Sequence, residues 1–173
     1  MALERFGLIQ FDGADQTVVG ADLKPGELAP DFVAVGQDWA KVQPLKASAG
    51  KVIVLAAVLS LETSVCDREI RRFNTEASSL GPDVQIYVIS TDLPFTLKRS
   101  CVAAGIDQVT TLSDHLQADF GPRYGCWIKE MRVLRRAVFV IGRDGKVTYA
   151  DYMKALGNEP LYEDVLAAVK KAL

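Results

Sequence analysis

The chain has 173 residues, of which 49% are hydrophobic and 24% charged, so it can bury one core of ordinary size. Its formal net charge is −2 with both signs interspersed, which favours neither nucleic acid nor an anionic membrane surface as a partner. The apolar runs are far shorter than the roughly 20 residues of a membrane span and the N-terminus lacks the features of a secretory signal, so we expect one cytoplasmic domain over residues 1–173.

The first predicted element is a β-hairpin over about residues 6–20. Asp12-Gly13 is a turn signal between its two arms. A short strand is expected at residues 31–35, after a loop-like segment. Residues 51–58 form a continuous apolar run, which is typical of a strand that is buried on both faces.

The middle of the chain alternates between helical and strand patterns. From residue 65 to residue 80, apolar side chains recur at spacings of three and four, which predicts an amphipathic helix. A strand is expected at residues 84–90 and a second helix at residues 95–104, ending at a glycine. A short strand at residues 109–112 and a helical turn or two at residues 115–120 follow.

The last third predicts a second hairpin and a closing helix. Its arms cover residues 134–141 and 146–152, and the helix covers residues 161–173. A β-α-β unit gives parallel neighbouring strands, whereas hairpins add antiparallel ones. The sequence therefore predicts an α/β domain with a central sheet of mixed strand direction.

Cys66 stands in the first turn of the first predicted helix, just after the buried strand. The unpaired N–H groups and the positive end of the helix dipole favour a thiolate over a thiol there. Because the thiolate is the nucleophile, this placement indicates redox or acyl chemistry. The plainer interpretation is that Cys66 packs as a small buried hydrophobe.

The other cysteines are less informative. Cys101 lies on the second predicted helix, where core packing and a redox partnership with Cys66 are equally open. A disulfide needs α-carbons within about 7 Å, so joining two helical cysteines requires a local melting of one or both helices. Cys126 has aromatic and aliphatic neighbours, which favours inert packing. A zinc site that includes His115, the only histidine, is disfavoured because no two ligands have finger-like spacing.

Three polar residues are candidates to assist Cys66. Thr63 fits the position of a helix N-cap, and its hydroxyl can also bind an oxygen of a ligand beside the thiolate. Arg135 and Arg136 begin an otherwise apolar strand. Alternation along a strand predicts that one points to solvent and the other to the covered side, where it could stabilise a thiolate. Alternation does not decide which arginine does so.

Several motifs resemble those of one enzyme family over nearly the whole chain. Thr63-Ser64-Val65-Cys66, followed by Arg71-Arg72-Phe73-Asn74, resembles the T-x-V-C…R-x-F-N segment of thiol peroxidases, which are atypical two-cysteine peroxiredoxins. Ala29-Pro30-Asp31-Phe32 is similar to a family segment. So is Ser90-Thr91-Asp92-Leu93-Pro94-Phe95 with Cys101 shortly after it. The resemblance implies a thioredoxin-like fold with an N-terminal β-hairpin.

The resemblance also implies a function and assigns roles by matching position. Cys66 would be the peroxidatic thiol and Cys101 the resolving thiol, while Thr63 and Arg136 would orient the peroxide and stabilise the thiolate. The implied activity is reduction of hydrogen peroxide and organic hydroperoxides through a sulfenic acid and an intramolecular disulfide. Thioredoxin or a similar dithiol would re-reduce that disulfide. The family implies a homodimer and no cofactor or metal.

One departure from the family pattern keeps alternatives open. The family motif has proline seven residues before the cysteine, and this chain has Leu59 there. Proline would fix the local backbone and remove an N–H group, whereas leucine loosens the chain and keeps the donor. The alternatives to an active peroxidase are a peroxide-responsive redox sensor and a thioredoxin-fold binding module that Leu59 has weakened catalytically.

Overall fold

The structure is a computed structural model that describes residues 2–173; Met1, where the predicted domain begins, lies outside the described residues. The described residues form eleven strands and five helices. In chain order these are β1 (Glu4–Phe11), β2 (Ala14–Val19), β3 (Ala34–Val35), β4 (Lys41–Val42), α1 (Pro44–Ala47), β5 (Val52–Ala57), α2 (Ser64–Leu80), β6 (Val84–Ser90), α3 (Pro94–Ala104), β7 (Thr110–Ser113), α4 (Phe120–Arg123), β8 (Trp127–Ile128), β9 (Val133–Leu134), β10 (Ala137–Ile141), β11 (Val147–Tyr152) and α5 (Tyr162–Ala172).

The larger sheet has seven strands in the order β11-β10-β5-β6-β7-β3-β4. Strands β5, β6 and β7 run parallel, because helical crossovers join them, while β10, β11, β3 and β4 add antiparallel pairs. The predicted sheet of mixed direction is therefore confirmed. A smaller sheet has the order β1-β2-β8-β9.

The predicted N-terminal hairpin is formed by β1 and β2, paired antiparallel. Asp12 and Gly13 both have positive φ, at 49° and 77°. A two-residue turn of this handedness matches the twist of the flanking strands, and few residues other than Asn, Asp and Gly adopt it readily.

Alternation along β5 divides the core between the two faces of the larger sheet. Val52, Val54 and Ala56 face a cluster that also contains buried side chains of α2, α3 and α5. Ile53 and Leu55 face a second cluster, which is covered by loops and by α4. The continuous apolar run predicted as a doubly buried strand is thus explained, because both of its faces are covered.

Three elements differ from their predictions. The arm expected at residues 134–141 is divided into β9 (Val133–Leu134) and β10 (Ala137–Ile141). The segment 31–35 is a strand only at Ala34–Val35. The helical turn expected at residues 115–120 is instead the helix Phe120–Arg123. The cause is the carboxylate of Asp114, which accepts hydrogen bonds from three backbone amides at the start of that helix, those of Asp119, Phe120 and Gly121. None of the helices between residues 2 and 173 has the length and apolar character needed to cross a bilayer.

Candidate active site

Cys66 lies in the first turn of α2, on the side where β5 ends. The preceding Thr63 has an extended backbone (φ −89°, ψ 143°) and accepts a hydrogen bond from the Cys66 amide at 3.3 Å. The predicted N-cap is therefore confirmed. The Thr63 hydroxyl also donates to the carbonyl of Ser60 at 3.1 Å, so its orientation is fixed on both sides.

The guanidinium of Arg136 contacts the Cys66 sulfur. Its Nη2 donates to Cys66 Sγ at 3.3 Å and to the Leu156 carbonyl at 3.2 Å, and its Nη1 donates to the carboxylate of Glu69. Arg136 and Cys66 are both buried. Because both groups are buried, solvent screens the interaction between the guanidinium and the sulfur only weakly. Thr63 thus contacts the Cys66 backbone, while Arg136, which is 70 positions away in the sequence, contacts the Cys66 sulfur.

The prediction that one of the two arginines points to solvent is wrong. Arg136 is buried, and so is Arg135. Its guanidinium donates to the Gly125 carbonyl at 2.8 Å, pairs with the Asp22 carboxylate and stacks over the ring of Tyr152 at 4.2 Å. The physical reason is that both arginines lie between β9 and β10 and not within a strand, so strand alternation does not govern them, and both side chains are covered.

Glu69 is a member of the site that the sequence reasoning missed. It is fully buried, and its Oε1 has no hydrogen-bond partner within residues 2–173. Burial raises the pKa of Glu69 to about 7, against the opposing effect of Arg136. A signal was present in the sequence, because Glu69 falls on the same helical face as Cys66 and Phe73, three positions after the cysteine. A charged residue on an otherwise buried stripe requires a partner.

Cys101 lies on α3 and is buried, with its sulfur 3.6 Å from Thr111 Oγ1. Burial raises the pKa of its thiol, although hydrogen bonds to Thr111 and Gln37 act in the opposite direction. Cys101 and Cys66 are both free thiols and belong to the same apolar cluster, on one face of the sheet. The two helices therefore pack on the same face, an arrangement that the sequence left open.

Cys126 and His115 lie apart from this site. Cys126 belongs to the cluster on the opposite face, and its thiol donates to the Tyr124 carbonyl at 3.3 Å. Burial raises the pKa of Cys126 to about 12, as expected for inert packing. His115 Nδ1 lies 2.6 Å from Ser113 Oγ. The part of the chain that the structure describes contains no group of His, Cys, Asp or Glu side chains arranged to hold a metal ion.

Leu59, which stands in place of the family's proline, is half-buried against the cluster that contains both cysteines. No acceptor for its backbone N–H is found among residues 2–173. A proline at this position would therefore remove no hydrogen bond. The difference between the two residues here is the freedom of the backbone, which proline would restrict.

Comparisons with protein families, known sequences and solved structures agree with one another. The model of the AhpC/TSA family matches residues 25–150. The thiol peroxidase of Oceanobacillus iheyensis is 47% identical over 94% of this chain and 98% of its own. The thiol peroxidase of Bacillus subtilis is 46% identical over 94% of this chain and 96% of its own. A solved peroxiredoxin-like protein from Aquifex aeolicus superposes with a TM-score of 0.86 at 32% identity, covering 99% of both chains.

These matches extend over nearly the whole chain, including the segment that carries Cys66, Cys101 and Arg136. The fold neighbour also confirms the thioredoxin-like, peroxiredoxin-type architecture that the motifs implied. The chain therefore belongs to the AhpC/TSA family, and within it to the thiol peroxidases.

Proposed function

We propose that the chain reduces hydrogen peroxide and organic hydroperoxides with Cys66 as the peroxidatic thiol, Cys101 as the resolving thiol, and Thr63 and Arg136 as the residues that orient the peroxide. The observation that carries this proposal is the 3.3 Å contact between Arg136 Nη2 and Cys66 Sγ at the N-terminus of α2. We infer that Cys66 reacts as the thiolate, the form that attacks peroxides, with the Arg136 cation and the N-terminus of α2 beside its sulfur.

In the first step, the Cys66 thiolate attacks the distal oxygen of ROOH. A sulfur–oxygen bond forms as the oxygen–oxygen bond breaks, and the alkoxide takes a proton and leaves as ROH. Cys66 becomes a sulfenic acid. The Arg136 guanidinium stabilises the charge that moves onto the leaving oxygen. Because Cys66 is fully buried, the peroxide reaches the sulfur only when neighbouring segments move locally.

In the second step, the thiol of Cys101 attacks the Cys66 sulfur. The disulfide forms, the sulfur–oxygen bond breaks, and the hydroxyl leaves with the thiol proton as water. Both sulfurs belong to the same apolar cluster, which supports this pairing over one with Cys126 on the other face. Both cysteines are helical and buried, so closing the bond requires local melting of α2 or α3.

In the third step, an external dithiol protein of the thioredoxin type reduces the disulfide by exchange and becomes oxidised itself. We infer a cytoplasmic location, because such reductants keep thiols reduced there. We also infer that the domain over residues 1–173 acts as a homodimer. Apolar side chains exposed near the start of α3 support this inference: Leu93 is 48% exposed and Phe95 is 69% exposed.

The test combines turnover with mapping of the oxidised cysteines. With thioredoxin, its reductase and excess peroxide, the wild-type chain should consume many equivalents, whereas Cys66→Ser should consume none. Peptide mapping after one equivalent of peroxide should show Cys66 linked to Cys101. A single oxidation event without turnover would favour a redox sensor. Linkage through Cys126 would overturn the assignment of the resolving thiol.

Replacing Leu59 with the proline of the family motif tests the remaining alternative, a catalytically weakened binding module. Leu59→Pro removes no hydrogen bond and restricts the backbone before the Ser60-Leu61 turn. If the present chain is an active peroxidase, this variant should change its rate with peroxide by less than about tenfold. A much larger gain would mean that the wild-type chain is a catalytically weakened binding module.

A further inference from the structure

Asp92 lies between β6 and α3, and its carboxylate reaches the turn that precedes Cys66. Its Oδ1 accepts a hydrogen bond from Ser60 Oγ at 2.7 Å, and its Oδ2 accepts one from the backbone amide of Leu61 at 2.8 Å. We call these two contacts the Asp92 clamp. They join segments that are more than 30 residues apart in the sequence, namely the turn before Thr63 and the start of the helix that carries Cys101.

The clamp is itself held in a fixed orientation. Ser90 Oγ donates to Asp92 Oδ2 at 2.8 Å and accepts from the Asp92 amide at 3.2 Å. Ser113 Oγ donates to the Asp92 carbonyl. The side chain and the backbone of Asp92 are therefore both anchored to the carboxyl ends of β6 and β7. A carboxylate that is held in this way can define the position of whatever it binds.

From the clamp, a short chain of hydrogen bonds leads to the peroxidatic cysteine. The Ser60 carbonyl accepts from both the amide and the hydroxyl of Thr63, each at 3.1 Å. The Thr63 hydroxyl in turn accepts from the Cys66 amide at 3.3 Å. A displacement of the Ser60-Leu61 turn would therefore rotate the Thr63 hydroxyl and loosen the first turn of α2.

We propose that Asp92 is a positioning residue for the peroxide step, holding the Ser60-Leu61 turn so that the Thr63 hydroxyl lies correctly beside Cys66. This inference rests on the proposed peroxidase function. It also accounts for how the turn stays ordered with Leu59 in place of proline. The backbone restriction that proline would give is absent, and the clamp restrains the chain one residue further on.

The first experiment measures the second-order rate of Cys66 oxidation by hydrogen peroxide in single turnovers. Asp92→Ala should lower this rate by about 10- to 100-fold, because a loosely held donor loses much of an oriented donor's effect. Asp92→Asn should lower it less, because the amide oxygen still accepts one of the two hydrogen bonds. A wild-type rate in Asp92→Ala would overturn the proposal.

The matched control is Asp119→Ala. Asp119 also joins distant segments through its carboxylate, accepting from the Val33 amide at 2.9 Å, but it lies outside the site. This variant should lose stability while keeping the rate with peroxide within about twofold of wild type. An equal loss of rate in both variants would mean that general destabilisation, and not positioning, explains the effect of Asp92.

A double-mutant comparison tests the route through Thr63. In a Thr63→Val background the hydroxyl is already absent, so adding Asp92→Ala should cause little further loss. If the fold-losses in rate of the two single variants multiply in the double variant, Asp92 does not act through Thr63. If Asp92→Ala does not fold, Ser60→Ala removes half of the clamp, and its rate should fall about threefold or more. A wild-type rate in Ser60→Ala would then overturn the proposal.

Failure of the proposed function is distinguishable from failure of this inference. If the wild-type chain consumes no peroxide, the peroxidase proposal fails, and hydrogen exchange still tests the clamp. The Cys66 amide, which is bonded to Thr63, should exchange faster in Asp92→Ala, or in Ser60→Ala, than in wild type. Unchanged exchange in the variant would overturn the positioning role of Asp92.

Discussion

At the scale of single residues, the guanidinium of Arg136 is held by contacts to three different groups. It donates to a sulfur, a carbonyl and a carboxylate in different directions. The guanidinium reaches these acceptors from two nitrogens held in one plane, whereas the ammonium of lysine would have to reach all of them from a single nitrogen. The contact with Glu69 and the contact with Leu156 together hold the charge at the Cys66 sulfur.

Arg136→Lys should therefore lower the rate of Cys66 oxidation by about 100-fold or more, although the charge is kept. The rate is measured in single turnovers with hydrogen peroxide. The control is Arg135→Lys, which alters the neighbouring buried guanidinium on the opposite face. It should lower stability but leave the rate per folded molecule close to wild type. Equal losses in the two variants would contradict the special position of Arg136.

The buried carboxyl of Glu69 predicts a pH dependence of stability. Burial raises its pKa from 4.5 to about 7, so between these values the folded chain holds a proton that the unfolded chain releases. The contribution of this group to stability is therefore greatest below pH 4.5 and falls as pH rises towards 7. Glu69→Gln removes the titration while keeping an oxygen acceptor for Arg136.

Urea unfolding at pH 5, 6, 7 and 8 measures this effect. The free energy of unfolding of Glu69→Gln, relative to wild type, should rise by on the order of 2 kcal/mol across the series. Burial also raises the pKa of Asp114, to about 6, but both proteins contain Asp114 and its contribution cancels. A difference that stays constant with pH would contradict the prediction.

At the scale of elements, the proposed mechanism requires α3 to be stable enough to bury Cys101 and weak enough to release it. The helix ends at Gly105, which adopts a left-handed conformation (φ 65°, ψ 35°) and donates its amide back to the last turn. An added Cβ at Gly105 would meet no atom within 4 Å. Substitution there therefore changes backbone strain alone.

Gly105→Ala should lower the free energy of unfolding by about 1 kcal/mol and speed formation of the Cys66–Cys101 disulfide, because α3 opens more readily. Quenched mass analysis after one equivalent of peroxide gives the rate. Gly50→Ala is the control, since Gly50 has a similar φ of 82° and equal space but lies outside α3. It should lower stability without changing that rate. Equal acceleration in both variants would contradict a specific role of α3.

The elements also show what the sequence could predict. The helix around Cys66 and the parallel strands beside it were predicted nearly to the residue, because their apolar periodicity is long and regular. The start of α4 was not, because it is set by hydrogen bonds to the Asp114 carboxylate, which apolar periodicity does not reveal. Glu69 was missed for a different reason. Its partner Arg136 lies 67 positions away, and pairing at that distance is decided by tertiary packing.

At the scale of the whole molecule, the smaller sheet is joined to the rest at a tight backbone crossing. Gly20 follows β2 with φ +97°, and an added Cβ would lie 1.9 Å from the Pro122 carbonyl oxygen. The obstructing atom belongs to the backbone, so the clash cannot be relieved by a side-chain rotation. The ion pairs of Asp22 with Arg5 and Arg135 lie beside this crossing.

Gly20→Ala should therefore lower the free energy of unfolding by about 3 kcal/mol or more. Urea unfolding measures the loss. The control is Gly26→Ala, because Gly26 has nearly the same φ of +94° but no atom within 4 Å of an added Cβ. Its loss should be only about 1 kcal/mol. Similar losses would mean that the backbone conformation, and not the crossing, requires glycine at position 20.

Cys66 and Cys101, the two thiols proposed to form the disulfide, lie inside one apolar cluster, and this placement has a consequence for electron transfer. In the proposed mechanism, linking them requires partial opening of α2 or α3, so the oxidised form would be less well packed than the reduced one. Reduction to the dithiol would restore that packing. The Cys66–Cys101 disulfide would therefore be a stronger oxidant than a disulfide that stabilises a fold. Its midpoint potential should accordingly lie above the roughly −300 mV that marks structural disulfides, so that electrons flow readily to it from an external dithiol.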